Sequence, residues 1–107
     1  MPKCLTIIVL TKDEEANLPV LLASLQRLRA TIVVVDSGST DDTVAIAEAA
    51  GCTVLHHPWK NYAAQLNWAI DNVGITTPWV MRMDADERFT PELVEELRRT
   101  LDRKSVV

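Results

Sequence analysis

An alternation constrains this chain more than any other feature: four short apolar runs, each followed by a stretch of helical periodicity. The runs are Leu5–Leu10 (LTIIVL), Thr31–Val35 (TIVVV), Thr53–His57 (TVLHH) and Trp79–Met83 (WVMRM). The first two are nearly continuous and rich in β-branched residues, as strands buried on both faces are. The last two carry polar residues and belong nearer a sheet edge or the rim of a site. One run plus its helix takes roughly 25 residues, and that alternation means a parallel sheet with right-handed crossovers. Four strands cannot close a barrel. The expected fold is a single α/β domain on an open, doubly wound, mostly parallel, Rossmann-like sheet, in the order β-α-β-α-β-α-β-α.

The helical segments carry their own punctuation. Leu18, Leu21, Leu22, Leu25 and Leu28 recur at helical spacing behind Asp13, Glu14 and Glu15, whose charge suits a helix N-terminus. Ser39-Thr40-Asp41-Asp42 is a dense N-cap signal for a helix running through Val44–Ala50, and Gly51 fits its C′ position. Ala63, Leu66, Ile70 and Val73 mark a third apolar stripe, closed by Gly74. Thr90 can cap the fourth helix, with Pro91 at its first position. Leu93, Val94, Leu97 and Leu101 form its stripe, while Arg98, Arg99, Arg103 and Lys104 crowd its last turns.

Composition narrows the function classes. With 11 Lys and Arg against 15 Asp and Glu, the 107-residue chain carries a net charge of −4. A broad nucleic-acid or anionic-membrane surface does not fit that balance, whereas a small nucleotide held by local amides or a metal ion does. No run approaches the length of a membrane span, and Met1-Pro2-Lys3-Cys4 does not begin a signal peptide. Cys4 and Cys52 stand far apart without a CxxC and read as buried thiols of a reducing cytoplasm.

On a doubly wound sheet, ligands bind outside the carboxyl ends of the strands. Here all four strand ends run into polar loops, beginning at Thr11, Asp36, Pro58 and Asp84. Asp84-Ala85-Asp86 stands out, because two carboxylates leaving an apolar strand offer hard oxygen ligands to Mg²⁺ or Mn²⁺. Eight aspartates among 107 residues make one such pair an ordinary chance event, so its position after the fourth strand carries the argument. Asp36 is suited to accept hydrogen bonds from a base or ribose, while Gly38 permits a tight turn. Asp41 and Asp42 read as acids of a first helical turn. Lys60, Gln65 and Asn67 open the third helix with cationic and amide groups, and Gln65 and Asn67 cannot both face the core. Trp59, Trp68 and Trp79 read as packing residues. His56 and His57 would point to opposite faces of a strand and do not chelate one ion. Neither GxGxxG nor GxxxxGK[ST] is present, and no Ser-His-Asp or Cys-His set is found.

Taken together, LTKDEEANL, VVVDSGSTDDT, WKNYAAQLNWAI and WVMRMDADERFTPEL resemble the family 2 inverting glycosyltransferases of the GT-A fold, in order and spacing, across nearly the whole chain. The NYAAQLN and DADE forms look most like bacterial members that build lipopolysaccharide core or other surface glycans. The resemblance implies a nucleotide pocket lined by Thr11 and Glu14, with Asp36 on the uracil or equivalent base. It implies Lys60, Gln65 and Asn67 near the nucleotide or diphosphate, Asp84 near the ribose, and Asp86 on a divalent metal, Mn²⁺ or Mg²⁺. The donor would be a UDP-sugar, the acceptor a glycan or lipid-linked hydroxyl, and the location cytoplasmic or peripheral to the inner membrane.

Inverting transfer also needs a general base. In the resembled family it comes from the half after the metal motif, and no residue here is assigned that role. Asp102 stands at the wrong separation. Residues 1–107 are thus expected to be a donor-binding half cut before the acceptor-binding half, with little or no transfer activity alone. The alternative is a non-catalytic remnant or interaction module that oligomerises through the apolar face the second half would cover. A response-regulator-like module lacks the Lys it would need after the fourth strand.

Overall fold

The computed structural model describes residues 4–104. Its elements are β1 (Leu5–Thr11), α1 (Leu18–Ser24), β2 (Ala30–Asp36), α2 (Thr43–Ala49), β3 (Thr53–His56), α3 (Tyr62–Asn72), β4 (Trp79–Asp84) and α4 (Pro91–Lys104). All pairings are parallel, in the order β3-β2-β1-β4. The expected doubly wound α/β sheet is therefore the observed one.

The apolar runs explain that order. Ile7, Ile8, Val9, Val33, Val34 and Val35 are fully buried, so β1 and β2 must lie inside with a helix layer on each face. The weaker third and fourth runs form the two edges. On one face Leu5, Ile7, Val9 and Val34 meet Leu18, Leu21, Ala47 and Val94 from α1, α2 and α4. On the other, Ile8, Leu10, Val33 and Val35 meet Leu66, Trp68 and Ala69 of α3 and Val73 at its C-cap. Burying each such aliphatic side chain stabilises the fold by about 1.5–3 kcal/mol.

Several local expectations shift. Helix α1 stops at Ser24, but Leu25 and Leu28 stay buried. Amides of Leu25 and Leu28 bond carbonyls three residues back, and such tight turns keep side chains three apart on one side. The acids before α1 do not occupy its first turn. Helix α2 begins without a side-chain cap from Asp42, the Asp41 carboxylate instead accepting from the Thr43 amide at 2.9 Å. It ends as expected, with Gly51 at φ +84° and amides of Gly51 and Cys52 bonded to Glu48 and Ala47 carbonyls. In α3, Ala63 and Ile70 are exposed, and Gln65 and Ala69 take the inward positions. Thr90 caps α4 by accepting from the Leu93 amide at 3.1 Å. Leu93 itself is exposed, and the side chains of Asp102, Arg103 and Lys104 lie outside the described residues. Cys4 and Cys52 are free and half-buried rather than buried. Among the described residues, no helix is long and apolar enough to cross a membrane.

Leu21→Ala, in the centre of the first cluster, is expected to lower unfolding free energy by about 2–5 kcal/mol in urea titration. Leu93→Ala is expected to change it by less than about 1 kcal/mol. Equal losses would contradict the packing described for α1 and α4.

Candidate functional site

The parallel register brings the strand ends level. Thr11 is paired with Asp36, Leu10 with Asp84, and Asp36 with His56. Connections from β1 through β3 run to one side of β1, and α3 returns the chain to β4 on the other. The direction of winding thus reverses between β1 and β4, where a crevice is expected. A cleft of about 520 Å³ opens there, lined by Thr11 at the end of β1 with Lys12 and Glu14 beyond it, Ser37 after β2, Trp59 and Tyr62 around the start of α3, and Asp84 at the end of β4 with Ala85 and Asp86 beyond it.

Beneath the cleft lies the Asp36 carboxylate, 1% exposed. Its Oδ1 accepts from Thr11 Oγ1 at 2.8 Å and Ser39 Oγ at 2.5 Å. Its Oδ2 accepts from the amides of Gly38 at 3.1 Å and Ser39 at 2.8 Å. Burial raises the pKa of this group, but the bonds from Ser39, Thr11 and Gly38 together outweigh it and hold the carboxyl below the usual range. A carboxylate has about four lone-pair directions, and the protein fills them. Asp36 therefore shapes the cleft floor, whereas the expected direct contact with a base would need an acceptor direction already occupied.

The loops after β1 and β2 interlock. Amides of Asp13 and Glu14 donate to Ser39 Oγ and Thr43 Oγ1, both at 2.8 Å, and the Glu15 amide donates to Asp41 Oδ2 at 3.2 Å. In return the Thr40 amide donates to Asp13 Oδ1 at 2.7 Å, and Lys12 Nζ to the Gly38 carbonyl at 2.6 Å. The Thr43 hydroxyl, with its amide, holds Asp41 below the usual carboxylate range. Asp13 takes the left-handed φ of +53° that this clasp demands.

The two carboxylates after β4 differ. Asp84 Oδ1 accepts from Arg82 Nη1 at 2.9 Å, and the guanidinium sits 5.1 Å from the Tyr62 ring centre. Asp86 is exposed and, among the described residues, has no hydrogen-bond or ion-pair partner. The loop carrying both is held by Glu87 Oε1, which accepts from the Asp84 amide at 2.7 Å. Arg88 also holds it, donating to the Ala85 carbonyl at 2.8 Å and Asn17 Oδ1 at 3.0 Å. Among the described residues, no three His, Cys, Asp or Glu side chains could hold an ion by themselves. Two carboxylates nevertheless fit a hard cation that completes its shell with substrate phosphates and water.

Of the sequence-derived residues, the fold gathers Thr11, Glu14, Asp84 and Asp86 around the cleft. Lys60 and Asn67 are exposed and do not line it. Gln65 is fully buried: position 65 faces the sheet, and two residues of helix, about 200°, turn Asn67 away. Trp59 corrects the packing expectation, being 48% exposed against the edge of Tyr62. Trp79 is 41% exposed on β4, and Trp68 packs inside on His57. Lys12, Ser37 and Tyr62 were not singled out by sequence. Only the position of Ser37 immediately after a strand end signalled it.

These features place a polar cleft at the switch point of a GT-A-like sheet, and the chain belongs to Glycosyl transferase family 2, whose profile matches residues 6–107. It is 38% identical over 89 residues to a protein of Rickettsia felis described as an uncharacterized glycosyltransferase, covering 83% of this chain and 31% of that one. It is 39% identical over 98 residues to the lipopolysaccharide core biosynthesis glycosyltransferase LpsC of Rhizobium meliloti, covering 87% and 35%. The chain thus spans about a third of the length of these relatives. The fold matches S. aureus TarS 1-349 in complex with UDP-GlcNAc, with TM-score 0.71, 23% identity and coverage of 92% and 31%. It also matches Mycobacterium tuberculosis glucosyl-3-phosphoglycerate synthase in complex with Mn²⁺, UDP and glucosyl-3-phosphoglycerate, with TM-score 0.61, 22% identity and coverage of 80% and 36%.

The lowered pKa of Asp36 fixes the sign of a pH effect. Its contribution to stability is present above the ordinary carboxylate range and is lost as pH falls through the folded-state value. Asp36→Asn is expected to cost about 1.5–3 kcal/mol at neutral pH and to flatten the acid limb of the stability–pH curve. Parallel curves for the two proteins would contradict the assignment.

Proposed function

We propose that residues 4–104 form the donor-binding part of a glycosyltransferase that takes a nucleoside-diphosphate sugar, a UDP-sugar, together with Mn²⁺ or Mg²⁺. The observation that carries this reading is the charge of the cleft between β1 and β4. Glu14, Asp84 and Asp86 line it against one lysine, Lys12. A diphosphate would be repelled by such a lining unless a cation accompanied it. Asp86, with its unengaged carboxylate, would hold that cation, with Asp84 beside it. The cation supplies charge that offsets the diphosphate oxygens as the leaving group departs. The UDP-GlcNAc complex of TarS and the Mn²⁺ and UDP complex of the mycobacterial synthase support the choice of donor and metal.

The remaining roles follow from the cleft wall. Lys12 brings a cationic group to the diphosphate side. Trp59 and Tyr62 offer aromatic surface that excludes water from one flank. Asp84, fixed by Arg82 and by the clamp on its own amide, suits a ribose hydroxyl. In the proposed transfer, an acceptor hydroxyl oxygen bonds to the anomeric carbon as the opposite bond to the diphosphate breaks, inverting the centre. The acceptor's proton passes to a base that residues 4–104 are not assigned to supply. The likeness to LpsC favours an acceptor in a bacterial surface glycan or lipopolysaccharide.

Isothermal titration with UDP tests the reading. Binding is expected to require Mn²⁺, and Asp86→Ala is expected to weaken it by at least about tenfold, equivalent to about 1.4 kcal/mol. Equal affinity with and without Mn²⁺, or an unaltered Asp86→Ala titration, would overturn the metal assignment.

A further inference from the structure

Among the described residues, Gln65 is the one amide side chain buried completely, and its three hydrogen bonds beneath the cleft have a fixed direction. The His57 carbonyl can only accept, so the group 3.1 Å from it must be the Gln65 Nε2 amine. The second hydrogen of that amine then points to Ser37 Oγ, 3.0 Å away. The Gln65 carbonyl oxygen is left 2.7 Å from His57 Nδ1, which must carry the hydrogen. Turning the amide over would set its oxygen against the His57 carbonyl and leave its amine facing Nδ1. The imidazole cannot turn freely, because it stacks on Trp68 at a centroid distance of 4.2 Å and an angle of 22°.

The consequence reaches the cleft. Ser37 Oγ already receives a hydrogen from Gln65, so its own hydrogen must point elsewhere. Among the described residues no protein acceptor takes it, and Ser37 lines the cleft. We infer that Gln65 is a positioning residue which orients Ser37 so that its hydroxyl meets a bound nucleoside diphosphate as a hydrogen-bond donor. The inference rests on the nucleotide reading above. It favours a ligand acceptor at that point, a carbonyl or ether oxygen of the nucleoside, because the Ser37 hydrogen has no protein acceptor among the described residues and one of the two oxygen lone pairs is already taken. It also gives Gln65 a role other than contact: the side chain acts on the ligand only through Ser37.

Two measurements test it. In mildly alkaline buffer, nitrogen-15 spectra of the His57 ring are expected to show hydrogen on Nδ1 and a bare Nε2. The opposite tautomer would overturn the relay whatever the ligand does. In UDP titrations with Mn²⁺, Ser37→Ala is expected to weaken binding about tenfold, and Ser37→Thr to restore it to within about twofold. Gln65→Glu cannot donate to Ser37, so it should cost as much as Ser37→Ala. The double variant should then be no weaker than Ser37→Ala alone. Losses that multiply would mean Gln65 acts independently of Ser37 and would overturn the inference. So would an unchanged affinity of Ser37→Ala, which is decisive even if Gln65→Glu does not fold. If UDP fails to bind the unmodified protein while His57 shows the Nδ1 hydrogen, the nucleotide reading falls and the direction of the relay stands.

Discussion

A buried carboxylate that has no ion-pair partner among the described residues holds the loop-bearing edge of this domain together. The Asp36 carboxylate ends β2 under the cleft floor, and burying it unpartnered would cost several kcal/mol. Four donors prevent that, one from β1 and three from the turn that follows. The bond from Thr11 ties two adjacent strand ends. The bonds from Gly38 and Ser39 curl the next loop back over the carboxylate, and Gly38 at φ +89° tolerates the curl because it has no Cβ. Once that loop is set, Ser39 and Thr43 stand where the amides of Asp13 and Glu14 need acceptors. The position of Ser37 on the cleft wall is a product of the same turn.

Acidic residues divide between two tasks, and the fold keeps the tasks apart. Asp13, Glu15 and Asp41 serve backbone amides in the clasp between the first two loops. Asp84 and Asp86 face the cleft, the first steadied by Arg82 and the second unengaged. The net charge of −4 therefore does not describe a uniformly acidic surface. A part of it is structural glue, and another part lines the cleft, where the proposed cation would offset it.

The alternation of apolar runs determined the sheet, its helices and the edge on which the loops gather, because each of these depends on local periodicity. Burial of Ile7 and Val34 and exposure of Val80 follow the same pattern. Roles that depend on two distant segments were less legible. Asp36 reads as a ligand residue until Thr11 and Ser39 are seen to fill its oxygens. Gln65 reads as a nucleotide contact until the helix phase turns it beneath Ser37. Trp59 reads as core, since nothing local reports that it precedes α3 on the open flank of the sheet. The place of Asp86 on the cleft was legible because it needs only the end of a strand.

The crevice between β1 and β4 is the proposed seat of a metal–nucleotide pair. The most direct measurement is paramagnetic broadening of backbone amide resonances on adding Mn²⁺ with UDP. The strongest broadening is expected at Asp84–Asp86, extending to Lys12 and Ser37 across the cleft, with little effect at the opposite strand ends near Leu5 and Ala30. Broadening centred on the acids of α4, Glu92, Glu95 and Glu96, or spread evenly over the surface, would contradict it.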